Sequence, residues 1–430
     1  MLMGLLRGCV ALLGPMNSLN FVSFSLDFWE DMWQSRHQIM LELSQQGKVL
    51  FVSRPFSLRE LFEDRGTGKL PASGLVKRSE NLYSLVFPKW LSEIYRYPSL
   101  RRLLERARAA YVRRAIRKLG IEKPVLFVWN PHFLEFVGTL KESLVCYYVD
   151  DEFSSYAGLT EPERKSILER EDQLLRIATV AFANGGALRA LKNTYGNVID
   201  VPMSADFSLF SQSRNPETRV PEDLAKLPHP RVGYVGNIND KIDVGLLADL
   251  AKARPDWHFP LIGPVSMRTP EYKADLRRLE SLPNVYFLGL KTRQELPSYI
   301  KGFDVCLMPY RTSGWAYYVY PLKLHEYLAS GKPAVGSALT SLQPFEGLIR
   351  IGRSPEEWLS AIQDSLEEKD DSLGEKRVQV AYENRVEARV KAILEAIREK
   401  LDGKAAGSDV PGNLRHPEEP PLIRTPLSRS

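Results

Sequence analysis

The chain has 430 residues, 44% of them hydrophobic and 26% charged, and a formal net charge of +5 at pH 7. That length accommodates two domains with separate cores, and the composition excludes bulk disorder. No charge-free apolar run approaches the ~20 residues that span a bilayer, and so mild a positive charge is no argument for nucleic acid.

The chain opens on an apolar stretch, 1–16, that is short, broken by Gly14-Pro15 and without a convincing small-residue cleavage site; it reads as a loose leader outside the fold. Continuously apolar, β-branched runs then alternate with helical patterns. Strands are expected at 20–25, 48–53, 81–87, 125–129, 145–149, 180–183 and 198–201, and helices at 33–46, 91–119, 161–177 and 187–194. Strands apolar on both faces belong in a parallel sheet covered by helices on each side. Residues 17–207 are therefore expected to form one Rossmann-like α/β domain.

A polar stretch carrying Pro216, Pro221, Pro228 and Pro230 marks an interdomain linker at 208–230. The alternation then restarts, with strands at 231–235, 258–262, 285–288, 304–308 and 334–336 and helices at 244–253, 270–279, 293–300, 321–329 and 355–366. A second Rossmann-like domain is expected over 231–372, followed by a polar helix at 373–402 and a Pro- and Gly-rich disordered tail at 403–430. Cys9, Cys146 and Cys306 lie too far apart for a disulfide framework or a CxxC metal site, which points to a reducing, intracellular compartment.

The segment from Tyr320 to Pro333 carries the most chemistry. Pro321 suits a first helical turn, and Gly331-Lys332-Pro333 stops the helix and launches a strand. Lys323 and Glu326, three residues apart, share a face above the helix start. Free backbone N–H groups, a positive dipole end and a lysine suit a phosphate, while the carboxylate suits paired ribose hydroxyls. An ordinary amphipathic helix with an exposed Lys–Glu pair gives the same pattern.

This segment resembles the donor-binding motif P-x-K-x-x-E-Y-L-A-x-G-K-P of GT-B glycosyltransferases of the group 1, family 4-like, retaining kind. Other parts agree in order. Arg231-Val-Gly-Tyr-Val-Gly236, then Asn237 and Lys241, looks like the strand, glycine loop and basic residue that open the family's second domain. Trp29, Trp33, Arg36 and His37, with Tyr147-Tyr-Val-Asp-Asp151, look more narrowly like the teichuronic-acid-biosynthesis type. There are departures: the first glutamate of the family's E-x7-E motif falls at Tyr318, its usual arginine after the glycine loop at Asn237, and its hinge Asn-Gly at Met203-Ser204.

The resemblance implies a GT-B fold, two Rossmann-like domains with an interdomain cleft and a C-terminal crossover helix returning to the first domain. It implies a transferase that moves a sugar from a nucleotide-diphosphate sugar to a polysaccharide or lipid-linked glycan acceptor in cell-envelope synthesis. It also implies retention of configuration, no metal and no cofactor beyond the nucleotide-sugar substrate. Donor contacts would come from Gly233, Gly236, Asn237, Lys241, Arg311, Tyr318, Pro321, Leu322, Lys323 and Glu326, with Lys241 on the diphosphate and Glu326 on the ribose. Trp33, Arg36 and His37 would lie on the acceptor side, and Asp150 or Asp151, ending an apolar strand, could activate the acceptor hydroxyl or simply cap the next turn. Catalytic candidates are thus Asp150, Asp151, Lys241 and Glu326. A nucleotide-sugar epimerase, or a non-catalytic carbohydrate-binding or assembly subunit, would share the fold.

Residues 90–120 hold nine Lys and Arg against two Glu, with apolar residues at helical spacing and Trp90, Tyr95 and Tyr97 before them. A basic amphipathic helix with aromatics can lie on an anionic membrane surface. A solvated outer helix packed by its apolar stripe is the alternative. The expected setting is cytoplasmic, peripheral at the inner membrane face.

Overall fold

The computed structural model describes residues 19–406, apart from Met32, 65–69, 94–97, Ala157 and Asp370; the expected leader and most of the expected tail lie outside the described residues, as do Tyr95, Arg96 and Tyr97. The strands of the first domain are β1 (Phe21–Ser25), β2 (Val49–Ser53), β3 (Gly74–Lys77), β4 (Leu82–Val86), β5 (Val125–Val128), β6 (Leu144–Val149), β7 (Val180–Ala183) and β8 (Val198–Asp200). They form one sheet in the order β3-β4-β2-β1-β5-β6-β7-β8. All pairs are parallel except the edge pair β3–β4. The second domain carries β9 (Val232–Val235), β10 (Phe259–Ile262), β11 (Val285–Gly289), β12 (Val305–Met308), β13 (Ala334–Ser337) and β14 (Arg350–Gly352), in the order β11-β10-β9-β12-β13-β14. Both sheets reverse direction of winding beside their first strand, which opens a crevice at the carboxyl ends of the neighbouring strands.

Between its strands the first domain carries α1 (Ser35–Leu43), α2 (Leu58–Glu63), α3 (Pro98–Leu119), α4 (Glu161–Ile177) and α5 (Gly186–Lys192). After β8 come α6 (Phe207–Phe210) and α7 (Glu222–Ala225), then α8 (Val244–Ala253), α9 (Pro270–Glu280), α10 (Leu296–Lys301), α11 (Leu322–Ser330), α12 (Pro355–Leu366), α13 (Asp371–Glu383) and α14 (Val386–Ala406). This is the α/β, GT-B architecture that the sequence leads one to expect.

Three points differ from the sequence reading in detail. Strands β3 and β14 were not anticipated: β3 is a half-exposed, antiparallel edge strand and β14 has only three residues, so neither presents a long apolar run. The stretch expected as a linker carries Phe210 and Leu224, both fully buried in the second domain's core. The expected single helix at 373–402 is two, broken at Asn384–Arg385, where the Asn384 side chain donates to the Val380 carbonyl (2.7 Å).

That break lets the chain cross over. Arg377 on α13, buried and paired with Glu368 at 2.5 Å, ties the second domain by donating to the carbonyls of Leu348 (2.7 Å) and Gly331 (3.3 Å). Val390, Ile393, Leu394 and Ile397 on α14 are instead buried with Ile39, Met40 and Leu43 of α1 in the first domain's core. Helix α14 runs to Ala406, past the point where the tail was expected to begin.

Candidate active site

A cleft of about 370 Å³ lies between the two domains. The start of α1 (Gln34, Arg36) and the end of β6 (Asp150, Asp151) line it from one side; the end of β9 (Asn237, Lys241), Tyr310 after β12, and the start of α11 (Pro321, Leu322, Lys323) line it from the other. The site therefore sits at the switch points of both sheets.

Local sequence explains how α11 aims at it. Pro321 occupies the N-cap in an extended conformation, and Gly331 adopts φ +73° at the other end, a left-handed turn that favours glycine. Lys323, in the first turn, reaches back over the loop after β9. Gly236 there has φ +138°, and a Cβ would overlap the end of the Lys323 side chain. The Lys323 ammonium lies 5.4 Å from the Tyr234 ring centroid. Burial opposes its charge, but Tyr234, Tyr310 and Glu326 together hold it protonated above the usual lysine range.

On the opposite wall Asp150 is paired with Arg36 (3.1 Å), which is also paired with Asp27 (2.5 Å). Its Oδ1 is buried with no hydrogen-bond partner among the described residues. Burial pushes Asp150 up to about 7; Arg36 opposes the shift, and Asp151 and Asp27 add to it. Asp151 holds a second network, accepting from the Tyr156 hydroxyl (2.9 Å) and facing Lys241 Nζ at 3.4 Å from the other domain. Trp315 covers Lys241, its ring centroid 4.5 Å from Nζ and 5.1 Å from the Tyr156 ring.

A buried charge cluster fixes the loop after β6. Lys192 on α5 pairs with Glu171 (2.7 Å) and with Glu152, and the Tyr147 hydroxyl donates to Glu171 (2.7 Å). The Asp-Asp-Glu run is thus divided between the cleft and this cluster. Among the described residues no three His, Cys, Asp or Glu side chains form a group able to hold a metal ion.

The structure brings together Arg36, Asp150, Asp151, Asn237, Lys241, Pro321, Leu322 and Lys323, with Gly236 under Lys323. Other predicted residues stand elsewhere. Glu326 is half-buried one turn along α11, outside the cleft lining, where Lys323 and Arg293 counter the rise that burial imposes on its carboxyl. Gly233 lies within β9, and a Cβ there would overlap the Phe303 ring, so core packing accounts for it. Arg311 stacks on Tyr272 at 3.6 Å and lies 3.9 Å from Asp243, away from the cleft. Tyr318 packs on the apolar core of the first domain.

Of Trp33, Arg36 and His37, expected on the acceptor side, Arg36 lines the cleft. His37 is buried: the Gln34 N–H donates to Nδ1 (3.1 Å) and Nε2 meets the Phe28 carbonyl (3.3 Å). Burial lowers its pKa, so it is a structural histidine that caps α1. Trp33 lies beneath the Arg293 guanidinium, 5.4 Å from ring centroid to Cζ. Arg293 was missed by sequence reasoning; it also pairs with Asp206 (2.9 Å) and so joins the segment before α1, the chain after β8 and the neighbourhood of Glu326. No motif marks it, and only its position on a loop facing the other domain distinguishes it.

Residues 229–368 match the family model described as "Glycosyl transferases group 1". The match covers most of the second domain and about a third of the chain. A relative in Bacillus subtilis (strain 168), named as a teichuronic acid biosynthesis glycosyltransferase, TuaH, is 38% identical over 110 residues, which are 26% of this chain and 27% of that one. The match thus spans about a quarter of that relative's length. Among solved structures, sucrose-phosphate synthase from Thermosynechococcus elongatus superposes with a TM-score of 0.66 at 16% identity, covering 90% of this chain and all of that one. The E. coli trehalose-6-phosphate protein bound with UDP-2-fluoro glucose gives 0.63 at 13% identity, covering 89% and 99%. Anabaena HepE in complex with UDP gives 0.61 at 14%, covering 89% and 100%. These likenesses establish the fold, a GT-B arrangement of two parallel-sheet domains.

Proposed function

We propose that the chain is a glycosyltransferase that moves a sugar from a nucleoside-diphosphate sugar to a polysaccharide or lipid-linked glycan acceptor, with retention of configuration and without a metal. The observation that carries this is the placement of Lys241 and Lys323 on one wall of a cleft whose other wall holds Asp150 and Asp151. Two ammonium groups and the start of α11 supply positive charge where a departing diphosphate gains negative charge. In this reading the lysines do the neutralisation that a divalent ion does elsewhere. Asp150, partly protonated near neutral pH, orients or relieves the acceptor hydroxyl of its proton, and Arg36 fixes its geometry.

The named function of TuaH and the UDP complexes of the structural neighbours support a nucleotide-sugar donor and an envelope glycan as product. Peripheral membrane contact is part of the proposal. Helix α3 presents Arg101, Arg102, Arg106, Arg114, Arg117 and Lys118 to solvent, and Leu103 and Trp90 are 62% and 70% exposed. Among the described residues no helix is long and apolar enough to cross a membrane.

A thermal-shift screen against UDP-, GDP- and dTDP-sugars tests the donor assignment. At least one nucleotide sugar raises the melting temperature of the wild type; no response to any of them refutes the reading.

A further inference from the structure

The residues that lead into α11, from Tyr318 to Leu322, join the second domain to the first. Val319 and Pro321 have extended backbone (φ −65° and −72°, ψ 132° and 115°), so successive side chains point to opposite sides. Val319 enters the second domain's core, while Tyr318 and Leu322 pack on the first domain. They do so on opposite faces of its sheet. Tyr318 joins the core that holds Val22 of β1, and Leu322 joins the core that holds Phe21.

Tyr320, between them, is held from both domains. Its hydroxyl lies 2.8 Å from Nε2 of His325 on α11, and the two rings stack with centroids 5.7 Å apart. Its ring edge faces Gly185, in the turn between β7 and α5. There φ is +101°, and a Cβ would lie 3.1 Å from Tyr320 Cδ2, so glycine permits both the turn and the close approach. The same turn fixes the chain at Asp150. Asn184 donates its backbone N–H to the Val149 carbonyl (2.9 Å) and its side-chain amide to the Asp150 carbonyl (3.3 Å). Its side-chain oxygen accepts from the Met203 N–H (2.9 Å). A short path of contacts therefore runs from Asp150 through Asn184 and Gly185 to Tyr320, and Lys323 follows in the first turn of α11.

We propose that Tyr320 is a positioning residue: its ring, seated on Gly185, sets the register of the two domains and so holds the start of α11, with Lys323, against Asp150. On the transferase reading above, on which this rests, Tyr320 acts through Lys323 and Asp150.

The test needs no ligand. Lys241 and Asp151 face each other across the domains at 3.4 Å, and Lys291 and Asp223 pair within the second domain at 2.7 Å. Treating the full chain with a carbodiimide joins such amine–carboxylate pairs by an amide bond, and mass spectrometry of the digest gives the yield of the interdomain cross-link relative to the internal one. Tyr320→Ala lowers that ratio roughly fivefold or more, because the interdomain yield follows the population of aligned domains. Tyr320→Phe, which keeps the ring on Gly185, stays within about twofold of wild type. Tyr320→Leu replaces Tyr320→Ala where the latter does not fold. An unchanged ratio in the truncated variant, an equal loss of both cross-links, a loss as large in Tyr320→Phe, or no interdomain cross-link in the wild type each overturns the proposal. None of these outcomes bears on the donor assignment, which stands or falls with the nucleotide-sugar thermal shift.

Discussion

Lys241 of the second domain and Asp151 of the first face each other across the cleft at 3.4 Å, in the place where a donor diphosphate would need the lysine. Both side chains are largely shielded, 26% and 12% exposed, and Tyr156 and Trp315 pack around the pair. Such a contact bridges the two domains and competes with an anionic ligand for the lysine.

Asp151→Asn should release Lys241. A partly screened pair of this kind is worth about 1 kcal/mol, so UDP affinity should rise by up to about fivefold. Titration calorimetry of the variant checks this; weaker UDP binding would show that Asp151 helps the donor instead.

The pH response follows from Asp150. Its folded pKa, about 7, lies above the ordinary 3.8, so its contribution to stability is full below the ordinary value and is lost as pH rises through 7. Asp150→Asn keeps the shape and cannot ionise. Relative to wild type it should therefore be more stable at pH 8 than at pH 5, as read from urea midpoints; the same difference at both values would contradict the assignment.

Lys192 lies between Glu171 and Glu152, both buried. Lys192→Met leaves two carboxylates without their cation, and removing one partner of a buried pair costs about 3–5 kcal/mol. Burial already raises Glu171 above its ordinary value, so acid should protonate it and relieve part of the loss. Denaturant unfolding should show a larger deficit at pH 7 than at pH 5. Because the cluster anchors the loop carrying Asp150 and Asp151, transfer should fall with it.

Two glycines separate a binding effect from a folding effect. A Cβ on Gly263 would overlap the backbone of Gly236, which cannot swing aside, whereas a Cβ on Gly236 meets first the flexible end of Lys323. Both residues have φ +138°, so either alanine carries backbone strain of about 1–3 kcal/mol. Gly263→Ala should lower the melting temperature more, and Gly236→Ala should lose more UDP affinity per degree of stability lost.

Much of the fold was legible because the strands are continuously apolar and the turns between them are marked by Gly, Pro and Asn. The α11 segment was legible for the same reason: Pro321, Lys323 and Gly331 each have a local mechanism. What the chain alone concealed was direction. Arg311 and His37 have chemistry suited to a site, but Tyr272 and the Phe28 carbonyl claim them. Arg293 and Tyr156 acquire their positions only when the two domains meet, and no local pattern encodes that meeting.

The central claim is most directly tested by the affinity of UDP for Lys323→Ala against wild type, with circular dichroism confirming that both are folded. Loss of a charge-assisted contact to phosphate costs about 1.5–3 kcal/mol, so the variant should bind roughly ten- to a hundredfold more weakly. Equal affinity in a folded variant would place the nucleotide somewhere other than the start of α11 and contradict the account.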